Sequence, residues 1–228
     1  MCGRYTLTID PEQLRQAFSW LHIPQEATFR PRYNIAPTQP VAVVPNDGRH
    51  RLDFFNWGLI PSWAKDPSIG SKLINARAET VAEKPSFRTA FKRRRCLILA
   101  DGFYEWQKAP DGKGKTPMYI QLASGQPFAF AGLWEWWTPP GGDGSEIRSC
   151  TIITTEPNSL MASIHNRMPV ILPPESYEMW LEPAEQRAEK LTPLLRAYPA
   201  EAMKAHPVSR LVNSPASDGP ACIAVNGQ

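Results

Sequence analysis

Cys96-Leu97-Ile98-Leu99-Ala100-Asp101-Gly102-Phe103-Tyr104-Glu105-Trp106 is the stretch from which the fold is read. Its first five residues form an unbroken apolar run, of strand rather than helix length. Asp101-Gly102 is a turn signal, and Phe103 to Trp106 resumes with aromatic residues suited to another strand. One carboxylate, Glu105, stands among Phe103, Tyr104 and Trp106. An apolar setting disfavours the charged form and raises a carboxyl pKa, which suits general acid–base work. The plainer alternative is an outward-pointing residue on the polar face of a strand. Cys96 is expected to be an inert core thiol.

Working outward, strands are expected at Met118–Ala123, Phe128–Trp134 and Ile147–Thr155. Upstream, Val41–Val44 and Leu52–Trp57 flank Asn46-Asp47-Gly48, a hairpin signal. Strands in such succession predict a mainly antiparallel sheet. Asp10-Pro11-Glu12-Gln13 reads as a capped helix start, with the helix reaching about Trp20. A second helix is expected from Ser86 to about Arg94, its dipole complemented by Lys92-Arg93-Arg94-Arg95. A short helix from Asn158 and one or two amphipathic helices within Glu175–Tyr198 complete an α+β inventory. The proline-punctuated Arg32–Thr38 is expected to be neither helix nor strand. Pro139–Gly144 reads as a loop, residues 206–213 as a last strand, and the chain beyond Asn213 as partly loose.

The 228 residues suffice for a substantial core, and no internal repeat or domain linker is evident. No apolar run approaches a membrane span, and no signal-peptide pattern opens the chain. Cys2, Cys96, Cys150 and Cys222 lie far apart with no CxxC pair, which argues against zinc and suits a reducing cytoplasm. The net charge of +3 is unevenly spread, because residues 1–115 hold 18 Lys/Arg against 11 Asp/Glu. A basic first half attracts polyanions, although a solvated basic face would look the same.

The N-terminal Met1-Cys2-Gly3-Arg4 carries the most distinctive chemistry. Removal of a methionine that precedes a small residue leaves Cys2 with a free α-amine and a free thiol on adjacent carbons. Such a 1,2-aminothiol condenses with an aldehyde to an imine and closes to a thiazolidine. An α-amine titrates near ~7.7–8.0 and a thiol near ~8.5, so both nucleophiles are expected to be partly available at neutral pH. Three other places are dense in polar groups. Asn75-Ala76-Arg77-Ala78-Glu79-Thr80 offers an amide for a substrate hydroxyl and an arginine for a phosphate, or else a structural Arg77–Glu79 pair. Trp63 follows the Gly58–Pro61 turn, where an exposed ring can stack on a base, whereas Trp57 is assigned to the core. His165 is the histidine with the most polar surroundings; His22, His50 and His206 are read as structural.

These blocks, together with Asn34-Ile35-Ala36-Pro37-Thr38, Trp57–Trp63, Asp101–Trp106, Ala131-Gly132-Leu133-Trp134 and His165–Leu172, clearly resemble the SRAP family, the SOS-response-associated peptidases. They follow the family's order over residues 2–213, taken as one SRAP domain, with 214–228 as a C-terminal tail. The resemblance implies a single α+β domain with a strongly bent, mainly antiparallel, barrel-like sheet and peripheral helices. It further implies a protein associated with DNA that senses abasic sites in single-stranded DNA and crosslinks to them through Cys2; a monomer is the default expectation, and the cysteine usage places it in the cytoplasm. Autoproteolytic removal of Met1 and weak lyase activity by β-elimination belong to the same implication, with no metal or organic cofactor. Carried over residue by residue, Glu105 transfers protons during sugar ring opening and imine formation. His165 assists at the sugar oxygen, and Asn75 orients the sugar. Arg4, Asn34, Arg77 and Arg167 hold phosphates, with Pro37 on the DNA-facing side. Trp63, Trp106 and Met168 pack against bases or block a second strand. The chain departs from the family's habit at Leu99, usually proline, at Glu156-Pro157, usually Ala-Asn, and at Leu211, usually polar or basic. Two other readings stand beside this one: a general cysteine peptidase using Cys2, His165 and Asn75, and a non-covalent single-strand binder.

Overall fold

The structure is a computed structural model that describes residues 2–24, 29–109, 111–141 and 144–225. Met1, and Gly142-Asp143 of the expected 139–144 loop, lie outside the described residues. Thirteen strands are described. They are β1 Arg4–Leu7, β2 Arg32–Ile35, β3 Pro40–Pro45, β4 Asp53–Trp57, β5 Asn75–Arg77, β6 Arg95–Ala100 and β7 Gly102–Lys108, followed by β8 Lys115–Leu122, β9 Phe128–Trp137, β10 Ile147–Thr155, β11 Met168–Pro169, β12 Ile171–Leu172 and β13 Met203–Pro207.

Pairing closes five of them into a barrel in the order β10-β4-β3-β6-β9 and back to β10. Closure removes the open edges that a flat sheet of this size would expose. All contacts around the ring are antiparallel except β4–β10. Strand β10 outruns β4, and β5 takes up the vacated edge through Ile152↔Asn75 and Thr154↔Arg77. On the opposite edge β11 continues where β9 stops, through Thr155↔Met168. A second sheet, β13-β8-β7-β1-β2, is wholly antiparallel and lies against the barrel. Tyr5 of β1 is fully buried there, edge-on to Trp57 and Phe130 at ring separations of 5.3 and 5.7 Å.

The quoted stretch is the hinge between the two sheets. β6 belongs to the barrel and β7 to the second sheet, so the two strands are consecutive in the chain without pairing. Asp101, buried at the crossing, ties it to β1. Its amide donates to the Thr6 carbonyl at 3.0 Å, and its carboxylate accepts from Thr6 Oγ1 at 2.5 Å, Thr8 Oγ1 at 2.6 Å and the Thr8 amide at 2.5 Å. Gly102 follows because no side chain fits: a Cβ there would lie 2.1 Å from the Tyr119 hydroxyl oxygen.

The helices are short. Helix α1, Pro11–Ala17, has the expected capping box between Asp10 and Gln13 and stops three residues before Trp20. Helix α2, Arg88–Arg93, ends in the basic cluster, whose cations serve structure. Arg94 pairs with Glu135, and Arg95, fully buried, donates to the carbonyls of Phe91, Lys92, Trp180, Glu182 and Ala184. Helix α3, Ser159–Ala162, is capped by Asn158 as read.

Four expectations are corrected. Arg32–Ile35 is a strand, because β1 supplies a ladder on one side and the Asp218 carboxylate accepts from the Tyr33 and Asn34 amides at 2.6 and 3.0 Å. Within Glu175–Tyr198 the chain makes only single turns, α4 Tyr177–Trp180 and α5 Ala188–Leu191 besides 3-10 turns; Pro183 and Pro193 deny a longer helix its hydrogen bonds. The last strand is β13, which ends at Pro207, while Arg210–Asn213 is a 3-10 turn. The segment after Asn213 is tied down as far as Val225, which bridges Val208.

Asp101→Ala should therefore cost about 2–4 kcal/mol, because a buried threonine hydroxyl and a main-chain amide lose an ionised acceptor. Urea denaturation measures it. A shift below about 0.5 kcal/mol would show that the crossing does not depend on this carboxylate.

Candidate active site

Cys2 precedes β1, which runs between β7 and β2, so the ladders on both sides draw the residue into the molecule until none of its surface is exposed. Its carbonyl accepts from Asn75 Nδ2 at 2.9 Å, and its thiol lies 4.0 Å from the Arg4 carbonyl. Asn75 is the first residue of β5, and β10 fixes its position. The Asn75 Oδ1 is buried with no hydrogen-bond partner among the described residues.

Glu105 lies on β7, one position beyond the Arg4↔Tyr104 pair, which sets it beside the Gly3-Cys2 end of β1. Its side chain is only 3% exposed. Burial lifts its carboxyl above the ordinary 4.5, and His165 partly opposes the shift. Burial also raises the Cys2 thiol, and the charge of Glu105 pushes the same way. Both groups thus favour their protonated forms. For the thiol this works against the partial ionisation expected of a free cysteine near neutral pH.

His165 enters from the loop after α3, its amide held by the Met161 carbonyl at 2.8 Å. Nε2 lies 3.9 Å from Glu105 Oε2, and Nδ1 lies 3.1 Å from the Arg167 amide nitrogen. A main-chain amide can only donate, so Nδ1 accepts and the proton of the neutral ring sits on Nε2, toward Glu105. Four chain segments thus bring Cys2, Asn75, Glu105 and His165 together.

The remaining sequence-derived residues divide by surroundings. Trp63 is 58% exposed and Arg77 is exposed on β5, so both are open to a ligand. Pro37 is half-buried. Trp106 is also half-buried, its indole donating to Asn213 Oδ1 at 2.8 Å. Arg4 donates to Asn34 Oδ1 at 2.8 Å and to the carbonyls of Val212 and Asn213 at 2.7 and 3.2 Å. Asn34 and Met168 are fully buried, which removes both from direct contact with a strand. Asn34 Nδ2 instead binds the carbonyls of Val212, Ser214 and Ser217, and Met168 Sδ accepts from the Asn158 amide.

Arg167 makes a two-pronged pair with Glu79, Nη1–Oε1 at 2.6 Å and Nη2–Oε2 at 2.9 Å, and also donates to the Thr154 carbonyl at 2.7 Å. Its hydrogen bonds hold the Glu79 carboxyl below its ordinary range, against the opposing effect of burial. A local Arg77–Glu79 pair was the sequence's plainer alternative, and Glu79's role is what that reading missed. The only signal was a carboxylate two positions from Arg77 in a block with no other charge. Among the described residues, no group of three or more His, Cys, Asp or Glu could hold a metal ion, and no helix is long and apolar enough to cross a membrane.

A family profile described as SOS response associated peptidase (SRAP) matches residues 1–215. The abasic site processing protein YoqW of Bacillus subtilis (strain 168) is 49% identical over 98% of this chain and 99% of its own. The abasic site processing protein HMCES of Gallus gallus is 34% identical over 98% of this chain and 77% of its own. Among solved structures, a Bacteroides thetaiotaomicron protein superposes with a TM-score of 0.85 at 27% identity, covering 98% of this chain and 99% of that one.

The raised Glu105 carboxyl has a stability consequence with a definite sign. Between the unfolded value near 4.5 and the raised folded value, the folded state binds more protons, so stability is lost as pH rises through that window. Glu105→Gln should then melt above the parent at pH 8 and no higher than the parent at pH 4. Each kcal/mol would appear as about 2–4 °C in a thermal scan. An equal gain at both pH values would mean that the effect is packing rather than charge.

Proposed function

The chain belongs to the SRAP family, and on that basis we propose that it processes abasic sites in single-stranded DNA by covalent capture on Cys2. The convergence of Asn75, Glu105 and His165 on the Cys2 end of β1 is the observation that carries the reading.

Removal of Met1 exposes the Cys2 α-amine, and Cys2 itself is the nucleophile of that autoproteolytic step. An abasic deoxyribose is mostly a closed hemiacetal. As the sugar opens, the proton of the anomeric hydroxyl passes through water to the ring oxygen, and His165 Nε2–H assists by donating a hydrogen bond to that oxygen. The α-amine adds to the aldehyde carbon and one of its protons passes to the new hydroxyl; Glu105, whose carboxyl burial raises, gives a proton to that hydroxyl as it departs and takes back the remaining nitrogen proton. Water leaves and an imine remains. The thiol then adds across the C=N bond: sulfur bonds to carbon, its proton passes to nitrogen, and the thiazolidine closes. A thiol held neutral suits this order, because the amine is then the first nucleophile. Asn75 fixes the Cys2 carbonyl and leaves Oδ1 to accept from the amine or a sugar hydroxyl. Arg77 and Trp63, both exposed, hold the flanking phosphates and bases. Loss of a C2′ proton, α to the imine carbon, expels the 3′ phosphate by β-elimination and gives a slow strand-cleaving side reaction. The protein acts at cytoplasmic DNA as a monomer.

Intact mass after mixing with a single-stranded oligonucleotide bearing one abasic site should rise by the oligonucleotide minus one water, from a protein lacking Met1. An unchanged mass with Met1 already absent would sink the crosslinking claim. Cys2→Ser should give no stable adduct, while Glu105→Gln should slow adduct formation by about 10²-fold and leave affinity for undamaged strands intact. Arg77→Ala should lower the salt slope of binding by about 1, and an unchanged slope would remove Arg77 from the phosphate contacts.

A further inference from the structure

We infer that Glu79 is a positioning residue for His165, acting through Arg167. The inference rests on the crosslinking function proposed above for what His165 does, but not for how the ring is held.

The connection runs through named bonds. Glu79 follows β5, two residues past Arg77, on the segment that carries Asn75. Its carboxylate takes both prongs of the Arg167 guanidinium, at 2.6 and 2.9 Å, and the Thr154 carbonyl of β10 takes a third bond at 2.7 Å. A two-pronged carboxylate–guanidinium pair fixes angle as well as distance, so the Arg167 side chain has one orientation. The Arg167 amide, on the same residue, donates to His165 Nδ1 at 3.1 Å. That bond selects the tautomer with its proton on Nε2, 3.9 Å from Glu105 Oε2. The Arg167 carbonyl lies 3.3 Å from the same Nδ1 and would accept from the other tautomer. The amide bond is the shorter of the two in this orientation of the 165–167 turn, which the Glu79–Arg167 pair anchors to β5 and β10.

Glu79 thus joins the segment that holds the Cys2 carbonyl to the segment that holds the imidazole. It touches neither reacting atom. It also occupies the guanidinium face of Arg167 that a phosphate would otherwise take, so the strand must find its cations elsewhere, Arg77 among them. That separates two roles by sign. A carboxylate that only repelled the strand would, once removed, tighten binding. A carboxylate that positions His165 would, once removed, slow the chemistry and leave binding unimproved.

The test uses Glu79→Ala and Glu79→Gln, the second keeping shape and one acceptor if the first folds poorly. Long-range ¹H–¹⁵N spectra of the ligand-free protein, with His165→Gln to assign the signals, report the tautomer of His165. The expected result is Nε2–H alone in the parent and a mixture of tautomers in the variants. The adduct-forming rate should fall about 10-fold, with an altered pH profile and unchanged affinity for an undamaged oligonucleotide. An unaltered His165 tautomer in both variants overturns the proposal, as does a rate loss matched by an equal loss of affinity. If the parent forms no adduct, the function proposed above fails, while the spectra still decide whether Glu79 orients His165.

Discussion

The site depends on one main-chain constraint, the insertion of β1 between β7 and β2. Strand pairing on both sides draws the residues ahead of β1 inward, and Asp101 locks the strand's far end through Thr6 and Thr8. Register then does the rest. Because Arg4 faces Tyr104, the next step along each strand brings Glu105 beside the Cys2 end, and a slip of one residue would turn that carboxylate to the other face. The barrel supplies the second half by a related device. A long β10 exchanges β4 for β5 on one edge and β9 for β11 on the other, which places Asn75 and the segment after His165 across the same strand.

Burial turns this geometry into chemistry, and it opposes stability while doing so. A carboxyl and a thiol enclosed together each favour the neutral form, and the charge of one would raise the other further. A surface carboxyl would be ionised at neutral pH and could not donate a proton; a surface thiol would be partly thiolate and would compete with the amine. The arrangement gives up folding free energy as pH rises above the ordinary carboxyl value, in keeping with the proton-donor role proposed for Glu105.

Much of this was legible in the chain, and the limits have physical causes. The apolar run Cys96–Ala100, the Asn46–Gly48 hairpin and the Asp10–Gln13 capping box are local signals, and each stands in the structure. What escaped depends on partners far along the chain. β2 looks irregular because proline surrounds it, and a carboxylate 184 residues away from Asn34 helps complete its bonding. Glu79 looks like a neighbour of Arg77 because its true partner lies 88 residues on. The apolar spacing in Glu175–Tyr198 is real, since Tyr177, Trp180, Leu181 and Leu191 are all buried, but prolines cut it into turns. The family resemblance points Asn34 to a phosphate and Met168 to bases or a second strand, whereas both are buried, and sequence patterning does not report burial at single polar or sulfur-bearing positions.

The clasp between Arg4 and the Val212–Asn213 carbonyls spans 208 and 209 residues of sequence. On a ribosome adding about 5–20 residues per second, the first partner waits roughly 10–40 s for the second to be made. Throughout that interval β1 lacks part of its enclosure, and Asn34 lacks the carbonyls that fill its side chain. The beginning of the chain therefore becomes enclosed late, and the pocket around Cys2 matures only after the Val212–Asn213 segment has been made.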